Sequence, residues 1–167
     1  MSDTTIEAFF VNRQQQLTMQ AHLYALVDGL LYADAANASA LQRSQSAVAL
    51  FDGTPDASLA DAGPWLIDYG RAAGTIRQTL SAMASGSTGV SWLISAYPID
   101  SLADELRSRL DVRLPDGRTA LLRFYDARIM AEMASLMEFT QRMQFFVATF
   151  DWLVEVNGKL KGVHPHA

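Results

Sequence analysis

Three aspartates are the residues of this sequence that are best placed to do chemistry. Asp28, Asp52 and Asp126 each follow a short apolar run that is typical of a β-strand. Proteins that alternate strands and helices bind ligands beyond the carboxyl ends of their strands, so these carboxylates could serve a ligand or a reaction. An aspartate before glycine also makes a turn, and an aspartate before a helix caps it. These two structural roles are the simpler interpretation of all three residues.

The other side chains that could bind a metal, attack a substrate or hold a phosphate are poorly arranged for those tasks. His164 and His166 stand close to the C-terminus and His22 begins a predicted strand, so we expect no metal site. The chain has no cysteine to act as a nucleophile or a ligand. The GSTG sequence at 86–89 precedes a predicted strand, whereas phosphate-binding loops lead from a strand into a helix. We therefore expect no cofactor and no catalytic residue.

The charge balance argues against a nucleic-acid partner. The chain carries 13 Lys and Arg against 18 Asp and Glu, for a formal net charge of -5. A protein that binds a phosphate backbone needs a basic surface, which this balance does not supply. The N-terminal sequence has an acidic start and no long apolar run, so it resembles neither a signal peptide nor a membrane anchor. We expect a cytoplasmic protein that binds neither nucleic acid nor membrane.

Length and composition predict one folded domain with short additions at its ends. A chain of 167 residues that is 50% hydrophobic can bury one core, but is too short for two. Apolar residues at near-helical spacing predict an amphipathic helix within residues 1–20, which would dock on the domain. Residues 21–161 form the domain itself, and residues 162–167 are expected to be a disordered tail.

Strands and helices alternate along the first two-thirds of the chain. Apolar runs bounded by turn residues predict strands at 22–29, 47–53, 64–70 and 90–96. Composition or helical spacing predicts helices at 33–46, 71–85 and 100–110, with Asp100 as the N-cap of the last. A polar segment with Pro and Gly at 54–63 predicts a surface loop.

Hairpins and helices follow in the last third. Pro115-Asp116-Gly117 predicts a hairpin within residues 111–125, and Asn157-Gly158 predicts a second one within residues 152–161. Residues 127–148 form one long helix or two short consecutive ones. The whole pattern predicts a single α/β domain of the mixed α+β type, in which a mixed sheet with β-hairpins is flanked by helices.

The end of the first hairpin contains the most distinctive short motif, Arg123-Phe124-Tyr125-Asp126. As part of a strand, Arg123 and Tyr125 would share one face while Phe124 pointed into the core. Asp126 would then cap the following helix, and Arg123 would pair with Asp28 or Asp52. We expect this motif to be structural rather than catalytic.

Methionine and phenylalanine are concentrated in the segment 127–148. At helical spacing such residues usually belong to the core, but soft apolar surfaces are also over-used where a protein accepts another chain. Both interpretations stay open. The candidate partner-binding residues are Met130, Met133, Met137, Phe139, Met143, Phe145 and Phe146.

Several short motifs follow one another in a recognisable order between residues 24 and 152. They are YALVDG at 24–29, GPWLI at 63–67, Leu93-Ile94-Ser95, the leucines 102, 106 and 110, Asp116-Gly117, Arg123 to Asp126, and Trp152. In these motifs the chain resembles the effector chaperones, also called adaptors, of bacterial type VI secretion. It departs from that family at Ala127, where relatives usually have proline, and many relatives continue into an additional C-terminal region.

The resemblance implies a non-enzymatic protein that binds a toxic effector, typically by its N-terminal region, and helps to load it onto the valine-glycine-repeat spike protein. The signature residues that the resemblance singles out are expected to be structural: Asp28, Gly29, Pro64, Trp65, Ser95, Arg123, Phe124, Tyr125, Asp126 and Trp152. Two alternatives remain. One is a small α/β ligand- or nucleotide-binding enzyme that uses the strand-end aspartates, and the other is an immunity protein.

Overall fold

A computed structural model of the chain describes residues 5–37, 39–86, 89–156 and 158–164. The helices in these ranges are α1 (Ile6–Gln16), α2 (Gly29–Ala35), α3 (Gly74–Ser85), α4 (Ile99–Arg107), α5 (Ala127–Leu136) and α6 (Phe139–Phe145), with short 3-10 turns at Ala57–Ala62 and Tyr69–Arg71. The strands are β1 (His22–Asp28), β2 (Ala47–Ala49), β3 (Pro64–Asp68), β4 (Val90–Ser95), β5 (Asp111–Arg113), β6 (Thr119–Leu121), β7 (Asp151–Val156) and β8 (Lys159–Gly162).

The described strands form one large sheet and one small hairpin. The large sheet has six strands in the order β2-β3-β1-β4-β7-β8, and β5 pairs with β6. Strand β1 lies at the centre, where Tyr24 is opposite Asp68 of β3 and Leu93 of β4. Strands β3 and β4 are buried at every position, which explains their mainly apolar sequences. All three tryptophans, Trp65, Trp92 and Trp152, are fully buried in this sheet.

The predicted fold class is confirmed, since the chain forms a single mixed α+β domain. The prediction of a mixed sheet is wrong, because every described strand pairing is antiparallel. Strands β3 and β4 do point the same way and are joined by α3, as in a parallel crossover unit. However, β1 lies between them and runs opposite to both. The predicted order of strand, helix and strand for β3, α3 and β4 is therefore confirmed, but the sequence does not predict that β1 lies between the two strands.

The first short helix lies earlier in the chain than predicted. We expected a helix at 33–46, whereas α2 begins at Gly29, directly after β1. The carboxylate of Asp28 accepts the first free amides of α2, from Leu30 at 2.9 Å and Leu31 at 3.1 Å, so the helix starts at once. Asn37, with a φ of 53°, follows the end of the helix.

Strand β2 is shorter than the predicted strand at 47–53. It ends at Ala49, and the carbonyl oxygens of Ala49 and Leu50 accept hydrogen bonds from the guanidinium of Arg107 at 3.2 and 3.0 Å. The Arg107 side chain therefore bonds to backbone carbonyl groups at this edge of the sheet, which another strand could otherwise pair with.

Helix α4 begins one residue before the predicted start at Asp100. Pro98 occupies the N-cap position with an extended backbone, and Asp100 lies in the first turn. The prediction that Asp100 caps the helix is therefore wrong. Its carboxylate still stands near the helix N-terminus, where the macrodipole favours a negative charge.

The motif Arg123 to Asp126 is a turn and not the end of a strand. Strand β6 ends at Leu121, and the amide of Asp126 donates to the carbonyl oxygen of Arg123 at 3.1 Å. Because a turn does not alternate its side chains as a strand does, Phe124 and Tyr125 are both buried. The predicted opposition of Phe124 to Tyr125 is wrong for this reason.

The segment 127–148 contains two consecutive helices, which is one of the two predicted arrangements. Helix α5 ends at its C-cap Met137, and Glu138 begins α6. Glu138 and Gln141 form a reciprocal capping box, in which the amide of Glu138 donates to Gln141 Oε1 at 3.0 Å. This cap explains why the chain starts a new helix here instead of continuing the first.

The first and last described segments of the chain pack on the domain. In α1, Ile6 is buried and Phe9 packs against the core, while residues 1–4 lie outside the described part. The C-terminal hairpin of β7 and β8 is also confirmed, although Asn157 in its turn is outside the description. The tail expected to be disordered from 162 is ordered through His164, because β8 reaches Gly162 and Val163 is buried. Residues 165–167 are not described.

Candidate functional site

Five signature residues meet at one end of the large sheet, and we call Asp28, Gly29, Pro64, Trp65 and Tyr125 the signature cluster. Asp28 is paired with Pro64 across β1 and β3. The ring of Phe51 lies edge-on against Tyr125 at 6.2 Å between centroids, and it also borders Gly63 just before Pro64. Segments far apart in the sequence are thereby joined at one place.

Gly29 is the tightest point of the signature cluster. Its amide donates to the carbonyl oxygen of Gly63 at 2.7 Å, which draws α2 onto β3. A β-carbon at this position would lie 2.8 Å from that oxygen and 2.9 Å from the indole nitrogen of Trp65. Glycine is required here because the backbones approach too closely for any side chain.

The three strand-end aspartates have identifiable structural partners. Asp28 caps α2, and Asp126 caps α5 by accepting the amide of Arg128 at 3.0 Å. Asp52 forms a two-point ion pair with the guanidinium of Arg43, at 2.5 and 2.8 Å. The cap interpretation is confirmed for Asp126, and Asp28, which stands before Gly29, also acts as a cap. Asp52 lies in a turn before Gly53, as predicted for an aspartate before glycine, and its carboxylate pairs with Arg43 in addition.

The electrostatics of these carboxylates follow from the same contacts. Hydrogen bonds from Arg43 lower the pKa of Asp52 below its usual value. Burial alone would raise the pKa of Asp126, but the hydrogen bonds from Arg128 outweigh it and the pKa is lowered. Both side chains are therefore held in the charged form at neutral pH.

Arg123 does not have the partner that the sequence predicted. Its guanidinium lies over the ring of Tyr125, 5.9 Å from the centroid, and the residue is exposed. Asp52 is paired with Arg43 and Asp28 with the amides of α2, so the expected pairing of Arg123 with either aspartate is wrong. The turn conformation directs Arg123 outward while it buries Tyr125.

The remaining signature residues are buried within the domain. Ser95 donates its hydroxyl to the carbonyl oxygen of Ala148 at 2.6 Å. Phe124 and Trp152 face each other edge-on at 6.0 Å, and Phe145 and Phe146 pack against the same indole at 5.7 and 5.5 Å. These four rings form one aromatic cluster that ties α6 to β7.

The seven candidate partner-binding residues fall into two groups. Met130 and Phe146 are fully buried, so the prediction that they face a partner is wrong, and both belong to the core. The other five are partly buried or exposed: Met133, Met137, Phe139, Met143 and Phe145. Nothing in the structure tests whether these five contact another protein, and that role stays a prediction.

An apolar groove lies between the β5–β6 hairpin and the two helices α5 and α6, and we call it the α5–α6 groove. Its volume is about 500 Å³. Its lining includes three of the candidates, and consists of Arg109, Val112, Leu122, Met133, Met137, Gln141, Gln144 and Phe145. Leu122 N donates to the carbonyl oxygen of Leu110 at 2.6 Å, which extends the hairpin to the base of the groove.

Large apolar side chains of α5, α6 and the residues after α6 are exposed to solvent outside the lining of this groove. Leu136 is 78% exposed and Phe139 72%, while Met143 is 49% and Val147 67% exposed. Phe139 and Met143 are four residues apart on α6 and therefore share one face of the helix, whereas Gln141, Gln144 and Phe145 on another face line the groove. Single exposed apolar residues are ordinary, but several within one short segment are typical of a surface that another molecule covers.

The other features of the described residues give weaker support for a functional site. A larger cavity of about 910 Å³ lies between Tyr32, the segment 39–46 and the start of α3, and its lining is mainly polar or small. No group of three or more His, Asp or Glu side chains in the described ranges is placed to hold a metal ion. No helix in those ranges is long and apolar enough to cross a bilayer.

The α5–α6 groove and the signature cluster both fall mostly inside one matched region. Residues 23–144 match the family described as Domain of unknown function (DUF4123). The chain belongs to this family. No curated protein and no solved structure matches the chain. The DUF4123 match includes every signature motif except Trp152, and it covers the groove up to Gln144.

Several groove residues within the DUF4123 region were missed from the sequence. Arg109, Val112 and Leu122 come from the hairpin and the segment before it, far from the methionine-rich helices. A signal was present in the first strand, because Leu110 and Val112 alternate with polar residues, whereas Leu121 interrupts the same alternation between Ala120 and Leu122. This alternation predicts an apolar face on the hairpin, but not the surface that it meets.

Proposed function

We propose that this DUF4123 protein is a non-enzymatic adaptor that binds and stabilises an effector of type VI secretion and assists its loading onto the valine-glycine-repeat spike protein. The effector's N-terminal region is the part that it binds. The resemblance of the signature motifs to the adaptors of that system supports the proposal. Most of these motifs lie within the family match at 23–144.

The observation that carries the proposal is the α5–α6 groove, together with the exposed apolar side chains of the same two helices. A protein whose task is to hold another chain needs apolar surface that stays accessible until the partner arrives. Leu136 of α5 and Phe139 and Met143 of α6 provide such surface outside the lining of the groove. Met133 and Met137 within the groove have flexible side chains that can adapt to an incoming partner.

Holding and delivering a protein is binding work, and it requires no metal, cofactor or nucleophile. The buried signature residues support binding indirectly, because they hold in place the helices α5 and α6 that line the groove. Asp126 starts α5, and the aromatic cluster of Phe124, Phe145 and Trp152 attaches α6 to the sheet. An adaptor acts before its effector is secreted, so we expect it to work in the cytoplasm.

Co-purification with truncated effectors tests the proposal. The chain is co-expressed with a candidate type VI effector, as the full-length toxin, the N-terminal region alone and the C-terminal toxin domain alone. We expect retention of the first two and not of the third. Retention of the toxin domain alone would overturn the proposal and favour an immunity protein.

Calorimetry separates the adaptor from the enzymatic alternative. The chain is titrated with common nucleotides and with divalent metal ions, and we expect no heat of binding from either. A saturable heat, abolished by replacing Asp28, Asp52 or Asp126 with alanine in a variant that still folds, would favour the ligand-binding enzyme instead.

A further inference from the structure

Side chains of the β5–β6 hairpin form one wall of the α5–α6 groove. Val112 belongs to β5 and Leu122 follows β6, and both line the groove. The two strands pair with each other along their inner edges, with Val112 opposite Ala120. Val112 and Leu122 therefore offer apolar side chains to an occupant.

The opposite wall is built from helices whose backbone groups are also engaged. At the bend between α5 and α6, the amide of Met137 donates to the carbonyl oxygen of Met133 at 3.1 Å, and Gln141 accepts the amide of Glu138. The carbonyl oxygen of Gln144 accepts a hydrogen bond from Arg109 at 3.2 Å. This wall too presents side chains to an occupant.

The shape of the walls discriminates between two kinds of peptide. An extended peptide binds well when it adds to a strand edge, because its own amides and carbonyls find partners there. Pressed into the α5–α6 groove, it would bury those groups against side chains that are mostly apolar, at a cost of roughly 1–3 kcal/mol for each unpaired group. A helix pairs its backbone internally and brings only side chains into the groove.

The charge of the lining indicates which helix fits. Arg109 is the charged residue among the described lining residues, and no carboxylate lines the groove. Its guanidinium lies over the ring of Phe145 at 5.9 Å and is bonded to the Glu105 carboxylate at 3.1 Å. The lining thus offers one guanidinium that already shares the carboxylate of Glu105, and an acidic residue on the flank of an occupant can share it as well.

We propose that the α5–α6 groove binds an amphipathic α-helix from the effector's N-terminal region, with apolar residues at i, i+3 or i+4, and i+7, and acidic residues beside them. These anchors span about 10 Å of helix, and they insert between the hairpin and α5. The inference rests on the proposed function, and it adds the secondary structure, the spacing and the charge of the segment that is recognised.

A cysteine crosslinking scan tests the spacing directly. The chain has no cysteine, so Met137→Cys in the groove introduces a unique thiol, and Val11→Cys on α1 is the matched control. Single cysteines are placed at consecutive positions of the effector's N-terminal region, and complexes are treated with a short bifunctional maleimide. We expect crosslinks to Met137→Cys that recur every three or four positions, and no such pattern from the control.

Each other outcome of the scan overturns the inference in a distinct way. Crosslinks at every second position indicate an added strand. Efficient crosslinking of Met137→Cys to itself, without effector, indicates that a second copy covers the groove. A complex that forms normally but gives no pattern places the effector elsewhere and leaves the proposed function standing. If the wild-type chain does not retain the effector at all, the proposed function itself fails.

A pair of charge variants at one position tests the acidic flank. Gln144 lines the groove and is exposed, so Gln144→Glu and Gln144→Lys are both expected to keep the melting temperature. We expect Gln144→Glu to bind the effector's N-terminal region about three- to tenfold more weakly than Gln144→Lys at low salt, with a smaller difference at high salt. Equal affinities, or the opposite order, would overturn the acidic flank.

Discussion

Arg13 donates a hydrogen bond from its guanidinium to the buried carboxylate of Asp151 at 2.7 Å. The pair joins α1, near the beginning of the sequence, to β7, near its end, and Ile6 at the start of the same helix is buried. A helix that lies outside the 23–144 match is thus fastened to the sheet by a charged contact as well as by apolar packing.

Replacing Arg13 by alanine is expected to destabilise the domain. The change leaves the carboxylate of Asp151 buried with one strong donor fewer, which typically costs about 1–3 kcal/mol. Chemical denaturation measures the free energy of unfolding, and Gln15→Ala on the exposed side of α1 is the control. Equal stability of the two variants would show that the ion pair does not hold α1 in place.

Gly29→Ala is expected to be among the most damaging small substitutions in the chain. The added methyl group would overlap the carbonyl oxygen of Gly63 and the indole nitrogen of Trp65, so backbone has to move at the signature cluster. We expect a loss of about 2–4 kcal/mol, measured by denaturation.

Gly74→Ala is the matched control for that substitution. A β-carbon at Gly74 meets nothing within 4 Å, and the residue begins α3. Alanine is the better helix former, so we expect unchanged or slightly raised stability, by up to about 1 kcal/mol. A similar loss in both variants would contradict the steric explanation for Gly29.

The contribution of Asp126 to stability is expected to depend on pH. Its pKa is lower in the folded chain than in the unfolded one, so the folded state prefers the charged carboxylate. The stabilisation is therefore fully present above the unfolded pKa of about 4, and it is lost as the pH falls through the lower folded value.

Asp126→Ala removes this effect together with the cap. We expect it to cost about 1 kcal/mol near neutral pH and progressively less as the pH is lowered below about 4. Melting temperatures of wild type and variant across this range give the comparison, and Asp126→Asn separates the charge from the cap because asparagine also caps helices. A constant gap between wild type and Asp126→Ala would contradict the pH dependence.

Local patterns in the sequence predict most helices and strands, because the spacing of apolar residues within a segment is set by the secondary structure of that segment. Strands β1, β3 and β4 have mainly apolar sequences, and each lies where it was predicted. The insertion of β1 between β3 and β4 could not be predicted, since nothing within those strands specifies which neighbour each one chooses. For this reason the sequence predicted a mixed sheet of parallel and antiparallel pairs, whereas the described pairs are all antiparallel.

The candidate site was predicted in part for a related reason. Residues of α5 and α6 are apolar on more than one face, so their spacing could not decide that Met130 and Phe146 face the core while Phe139 and Met143 face solvent. The groove also includes residues of the β5–β6 hairpin. The hairpin and the two helices are separate segments of the sequence, so local patterns could not predict that they lie opposite each other. Packing between elements decides both questions.

Arg123→Ala is expected to change stability only slightly, because Arg123 lacks the aspartate partner that the sequence predicted. The guanidinium lies over the Tyr125 ring at an exposed position, a contact worth about 0.5–1 kcal/mol. Thermal melting measures this effect, with Arg118→Ala in the exposed hairpin as the control. Loss of effector or spike retention at a nearly unchanged melting temperature would place Arg123 on the recognition surface.

Phe146 and Phe139 allow the same substitution to be compared at a buried and an exposed position of one segment. Phe146 is 1% exposed within the aromatic cluster, so Phe146→Ala leaves a cavity that typically costs about 3–5 kcal/mol. Phe139 is 72% exposed, and Phe139→Ala should alter stability by no more than about 0.5 kcal/mol. Binding of the effector's N-terminal region is then measured on both variants at a temperature where each is folded. We expect Phe146→Ala to bind in proportion to its folded fraction, and Phe139→Ala to bind more weakly although it is fully folded, because it loses apolar surface on the exposed face of α6. Full binding by Phe139→Ala would show that the exposed face of α6 is not part of the effector surface.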